Sequence, residues 1–179
     1  MNNDRTVRLT VNAMLAALCA CLGYISLDLG NLKITFESLP VLMAGLMFGP
    51  ASGAAVGGIG TLIYQVLRYG ITATTPLWML PYILMGIAAG AYAKKAFFSN
   101  TNRQILVITI ICEVLVFVIN TGVILADSLI YGYYSAPYVF GSLGIRFIIC
   151  MVKSAAFGAV LPGILKKMAR ITHNGLRDI

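Results

Sequence analysis

From Val7 to Leu165 the chain is a succession of apolar runs separated by short polar breaks, and this pattern limits the possible folds more than any single motif. Six runs can be drawn, at about 7–27, 38–48, 51–68, 76–92, 105–126 and 141–165. Only 11 % of the residues are charged and 59 % are hydrophobic, for a mean hydropathy of +0.88. Soluble domains carry about 25 % charged residues to solvate their surfaces. A chain with so few finds its solvent in lipid, where the backbone must satisfy its own hydrogen bonds. The length of 179 residues suits one domain. The expected fold is an all-α integral membrane protein, a compact bundle of six transmembrane helices. The second run is the exception: its residues rise about 16 Å, roughly half of a ~30 Å hydrocarbon core, so it is extended by its neighbours or tilted inside the bundle. Pro40 suits its first turn. Gly49-Pro50 breaks the chain before run three, and the polar stretch Phe98–Arg103 divides run four from run five.

An even number of spans puts both termini on one side. That side carries Arg5, Arg8, Lys94, Lys95, Arg103, Lys166, Lys167, Arg170 and Arg177, nine of the 13 basic residues, while the other keeps Lys33 in its first loop. The positive-inside rule places both termini in the cytoplasm of a multi-pass protein. A net charge of +7 distributed this way belongs to membrane topology, and no nucleic-acid partner is expected. Tyr131, Tyr133, Tyr134 and Tyr138 cluster in the outer loop after run five, as an interfacial aromatic belt or as a gate over a site.

Polar residues inside spans are costly and face a cavity or a partner. Thr61, Tyr64, Gln65 and Arg68 share one helical face of run three. Run five places Thr109, Glu113 and Asn120 on one face, with Asp127 at its outer end, and run six does the same with Ser142, Arg146 and Lys153. Trp78 and Tyr82 sit one turn apart near the outer end of run four. Helical rise puts Glu113 about 12 Å and Asn120 about 23 Å from the inner face, with Arg146 about 8 Å and Lys153 about 18 Å from the outer face. Glu113 is then level with Lys153, and Asn120 with Arg146, while Gln65, Arg68 and Trp78 fall in the outer third. Glu113 and Lys153 form either a structural ion pair or part of a ligand site. Arg68 and Arg146 either snorkel or pair with Asp28, Glu37 or Asp127, or they clamp carboxylates with their planar forks. Trp78 is a belt residue or a stacking wall for a flat ring. Small-residue spacings, Ala13/Ala17 and Ala16/Ala20 in run one, Gly49/Gly53/Gly57 and Gly86/Gly90, mark faces for close helix packing or for a partner subunit.

No phosphate loop, nucleophile elbow or HExxH motif occurs, and the single histidine, His173, lies in the polar tail. The four cysteines lie inside apolar runs and read as small buried hydrophobes. Neither catalysis, nor a metal, nor a cofactor is expected.

Several stretches resemble the S components of energy-coupling-factor (ECF) vitamin transporters, and more specifically the folate-specific S components, the FolT family. They are Leu27–Pro40 (LDLGNLKITFESLP), Phe48-Gly49-Pro50 with Gly53 after it, Leu67-Arg68-Tyr69-Gly70 and Trp78-Met79-Leu80-Pro81. The resemblance covers nearly the whole chain. It implies a subunit of the plasma membrane that binds a vitamin from outside, while a transmembrane T component and two cytoplasmic ATPases drive its release inside. The alanine pattern Ala13/Ala17 or Ala16/Ala20 would face the T component, and the loop at about 28–37 would gate the pocket. Folate has a flat pterin and a tail with two carboxylates. Trp78 would stack on the ring, Gln65 and Asn120 would hydrogen-bond its edges, and Arg68 or Arg146 would take the anionic groups, with Tyr64, Tyr69, Glu113 and Lys153 as further candidates. Another vitamin such as riboflavin or thiamine, a stand-alone channel or carrier, and a purely structural subunit remain as alternatives.

Overall fold

A computed structural model describes residues 2–28, 33–95 and 102–175, and the side-chain surroundings of 5–26, 34–95 and 102–168. Parts of the expected gating loop (29–32) and of the polar stretch after run four (98–101), as well as Arg177, lie outside the described residues. The elements are α1 (Asn2–Tyr24), β1 (Leu27–Asp28), β2 (Lys33–Ile34), α2 (Ser38–Phe48), α3 (Pro50–Tyr69), α4 (Thr75–Lys95), α5 (Asn102–Ile130), α6 (Ala136–Phe140) and α7 (Leu143–Gly175). Among the described residues the secondary structure is helical apart from one antiparallel ladder, in which Leu27 faces Ile34 and Asp28 faces Lys33. Among the described residues, four helices are long and apolar enough to cross a membrane: α1, α4, α5 and the α6–α7 stretch. The 20-residue α3 is long enough, but Gly53, Gly57, Gly58, Gly60, Thr61 and Gln65 dilute its apolar character.

Local chemistry sets the breaks. Gly49 adopts φ +94°, ends α2 by donating its N–H to the Gly45 carbonyl, and hands over directly to Pro50 at the start of α3. Proline is pre-organised for a first helical turn and lacks only an N–H that would have had no helical partner there. Gly70, at φ +75°, closes α3 in the same way onto Val66. A threonine turn then launches α4: the Thr72 N–H donates to the Thr75 Oγ at 2.9 Å. The unforeseen α6 is capped by Ser135, whose hydroxyl accepts from the Tyr138 N–H.

The short helix α2 is the bundle's interior. Ser38, Pro40, Val41, Leu42, Met43, Ala44 and Gly45 are all buried, and α1, α3, α4 and α7 surround them. The outer surfaces of the other long helices are apolar: Leu9, Met14 and Leu18 on α1, Ile59, Ile63 and Leu67 on α3, Val107, Ile111 and Val118 on α5, and Ile145, Ile148 and Val152 on α7 are exposed. Water would not tolerate so continuous an apolar perimeter, and lipid does.

Helices α3 and α4 touch backbone to backbone. A Cβ at Gly86 would lie 2.2 Å from the Gly53 carbonyl carbon, one at Gly57 2.5 Å from the Tyr82 oxygen, and one at Gly90 2.2 Å from the Pro50 nitrogen. On the other side of α3, a Cβ at Gly60 would collide with Cys19 of α1 at 2.6 Å. Helices α5 and α7 pack mainly on each other and join this slab through α4 and α2. Overpacking a filled contact costs about 1–3 kcal/mol. Gly86→Ala is therefore expected to lower the thermal unfolding midpoint clearly. Gly122→Ala on α5, where nothing lies within 4 Å, is expected to hold or raise it. Equal midpoints for the two variants would show that the seam does not set stability.

Candidate functional site

The slab α1–α4 and the pair α5/α7 leave a polar cavity of about 80 Å³ between them. Helix α5 contributes Glu113, Val116, Phe117 and Asn120, and α7 contributes Arg146, Ile149, Cys150 and Lys153. Tyr82 comes from α4, and Thr35 from the segment leading into α2. The helical period explains the first two sets: 113, 116, 117 and 120, like 146, 149, 150 and 153, follow an i, i+3, i+4, i+7 pattern on one face.

The Lys153 Nζ lies 3.2 Å from the Glu113 Oε2, and both side chains are largely withdrawn from the surface. The ammonium also sits 5.7 Å from the centre of the Phe157 ring. The Arg146 guanidinium lies 5.8 Å from the Phe117 ring centre, a cation–π arrangement, and Phe117 meets Phe147 edge to face. The Tyr82 hydroxyl is 3.2 Å from the Thr35 Oγ. Two cations thus face one carboxylate across the cavity walls. Arg146 has no carboxylate within ion-pair distance among the described residues, so the excess positive charge suits an anion.

Of the nine residues expected to bind substrate, the cavity brings together Glu113, Asn120, Arg146 and Lys153. The other five lie elsewhere. Tyr64 and Gln65 are buried, and Tyr64 sits beside Gly23 of α1 and against the edge of Tyr69. Arg68 donates to the Tyr24 carbonyl at the end of α1 (2.9 Å), with its guanidinium 5.8 Å from the Tyr69 ring centre. Trp78 joins α4 to α5 outside the cavity: its Nε1 is 3.4 Å from the Asp127 Oδ1, and the Tyr133 hydroxyl donates to the other oxygen. Partial burial, and after it the contact with Asp127, raises the pKa of that phenol above its ordinary value, so Tyr133 stays a neutral donor.

Thr35, Tyr82, Phe117 and Cys150 were not among the expected site residues. Phe117 and Cys150 were legible from spacing, each lying between two expected residues on one helical face. Thr35 carries no such signal, because it precedes a helix. On α1 the small residues divide: Ala16 and Ala20 are buried, and Ala13 and Ala17 are exposed. Among the described residues no group of His, Cys, Asp and Glu could hold a metal ion, and the four cysteines are free thiols.

A polar chamber walled by helices with lipid-compatible outer faces can hold a small charged molecule within the membrane. Comparison with known proteins bears on what kind of protein does so. The family model for the substrate-specific component of ECF transporters matches residues 7–169. A solved structure of the S component of a bacterial ECF transporter superposes with a TM-score of 0.63 at 22 % identity, covering 92 % of this chain and 98 % of that one. At that identity the likeness concerns the fold. No curated protein matches the chain. With a family model that spans almost all of its length, and a bundle that carries one charged chamber, the chain belongs to the substrate-specific components of ECF transporters.

Proposed function

We propose that this S component captures folate from outside the cell, with high affinity, in the cavity between α4, α5 and α7. The observation that carries the reading is the meeting of Arg146, Lys153, Glu113, Asn120 and Tyr82 in one chamber between helices whose outer faces are apolar. It offers a guanidinium for a carboxylate and polar groups for a heterocycle, and folate has both. The stretches Leu67–Gly70 and Trp78–Pro81, with their likeness to folate-specific S components, favour folate over other vitamins. In this reading the chain spans the plasma membrane six times with both termini in the cytoplasm. A transmembrane T component and two ATPases complete the transporter.

The proposed roles follow the geometry. Arg146 takes a carboxylate. Arg68, which ties α3 to the end of α1, supports the bundle next to the hairpin. The cavity of about 80 Å³ is far below the roughly 300–1,000 Å³ of small-molecule pockets, so folate enters only as the α5/α7 pair and the segment carrying Thr35 move apart. The exposed Ala13 and Ala17 on α1 form the face for the T component, since small residues allow helices to approach closely.

Isothermal titration of the purified chain is expected to give sub-micromolar folate binding and much weaker binding of riboflavin and thiamine. The absence of tight folate binding would sink the reading. Truncating an arginine in contact with a carboxylate costs about 2–5 kcal/mol, and Arg146→Ala is expected in that range, with Arg68→Ala below about 1 kcal/mol. Losses reversed between the two would move the clamp to Arg68. Ala17→Trp is expected to abolish ATP-driven uptake by the reconstituted complete transporter while leaving the titration unchanged. Undiminished uptake would place the T component on another face.

A further inference from the structure

Glu113 is 2 % exposed, and its two carboxylate oxygens are unequal. Oε2 is held by Lys153 at 3.2 Å. Oε1 is buried and has no hydrogen-bond partner among the described residues. A carboxylate has room for about four hydrogen bonds and can only accept, and buried polar atoms are paired as a rule. Here an acceptor in the wall of the proposed binding chamber is left without a donor. The lysine that fixes Glu113 is itself fixed, by Oε2 and by the face of Phe157. Among the other donors in the cavity wall, the Tyr82 hydroxyl meets the Thr35 Oγ, and the Arg146 guanidinium lies over Phe117.

We propose that Glu113 is a specificity-determining residue whose open oxygen accepts N–H donors from the ligand's heterocycle, and that Lys153 is the positioning residue that presents it. An acceptor-only group selects for a ring edge that carries donors and rejects a carboxylate or carbonyl edge placed against it. A 2-amino-4-oxopyrimidine edge, with an exocyclic amine beside a ring N–H, presents such donors to the open oxygen. The same preference sets the ligand's direction: the ring edge lies at Glu113, and the anionic tail lies toward Arg146. This assignment rests on the folate reading for its ligand, and it adds which end of the molecule is read and by which atom.

The test compares folate with 2-desamino-2-methylfolate, which lacks the exocyclic donor, by isothermal titration of the full chain. The wild type is expected to bind folate on the order of 10- to 100-fold more tightly than the analogue, the range typical of a hydrogen bond to a charged group. Glu113→Gln is expected to bring the two ligands within about threefold of each other, because the amide has lost the charge that made the hydrogen bond strong. Glu113→Asp, which keeps the charge and withdraws it by one methylene, is expected to narrow the gap as well and serves if the glutamine variant does not fold. Equal wild-type affinities for both ligands overturn the proposal and leave the folate reading standing. Discrimination that survives in both variants assigns the ring to another residue and overturns it too. A wild type that binds neither ligand overturns the folate reading and this assignment together.

Discussion

The close approach of α3 to α4 is the constraint on which the rest of the structure depends. Gly53, Gly57, Gly86 and Gly90 let two backbones meet where any side chain would collide. Lipid supplies no hydrophobic drive for helices to associate, so van der Waals packing of this kind must hold them. With α3 and α4 locked and α1 seated on Gly60, the 11-residue α2 is enclosed. A helix that short cannot cover the hydrocarbon by itself, and its neighbours do so for it. The four-helix slab leaves α5 and α7 as a second body, and the charged chamber lies where the two meet.

That chamber is expensive to keep. A lysine, arginine or acidic residue at the centre of a membrane helix costs about 2.5–3.5 kcal/mol on insertion scales. Glu113 and Lys153 offset part of this by pairing, and Phe117 and Phe157 cover the cations with ring faces. Replacing a buried ion pair with apolar residues is often neutral or stabilising, so stability alone gives no reason to retain these charges. The ligand site proposed above would supply one.

Much of this was legible in the residues. The apolar runs located the helices, the glycine spacings located a seam, and helical rise placed Glu113 level with Lys153, where an ion pair is found. The same estimate put Gln65, Arg68 and Trp78 at a suitable depth, yet none of them lines the cavity. Depth along the membrane normal is one coordinate, and the direction in which a helix face points is another. The glycine seam fixes that direction for α3. By pressing α3 onto α4 and α1 it turns Tyr64 toward Gly23 and carries Arg68 to the Tyr24 carbonyl. Thr35 and the capped α6 depend on loop geometry, which apolar periodicity does not encode.

The division of the α1 face has one more consequence. Of the four thiols, Cys19, Cys112 and Cys150 are buried, and Cys21 alone is exposed, one turn beyond Ala17 and near the end of α1. The native chain therefore carries its own single attachment point for a spectroscopic label beside the small-residue face. A probe there reports on whatever covers that flank, lipid or protein, and no engineered cysteine is needed.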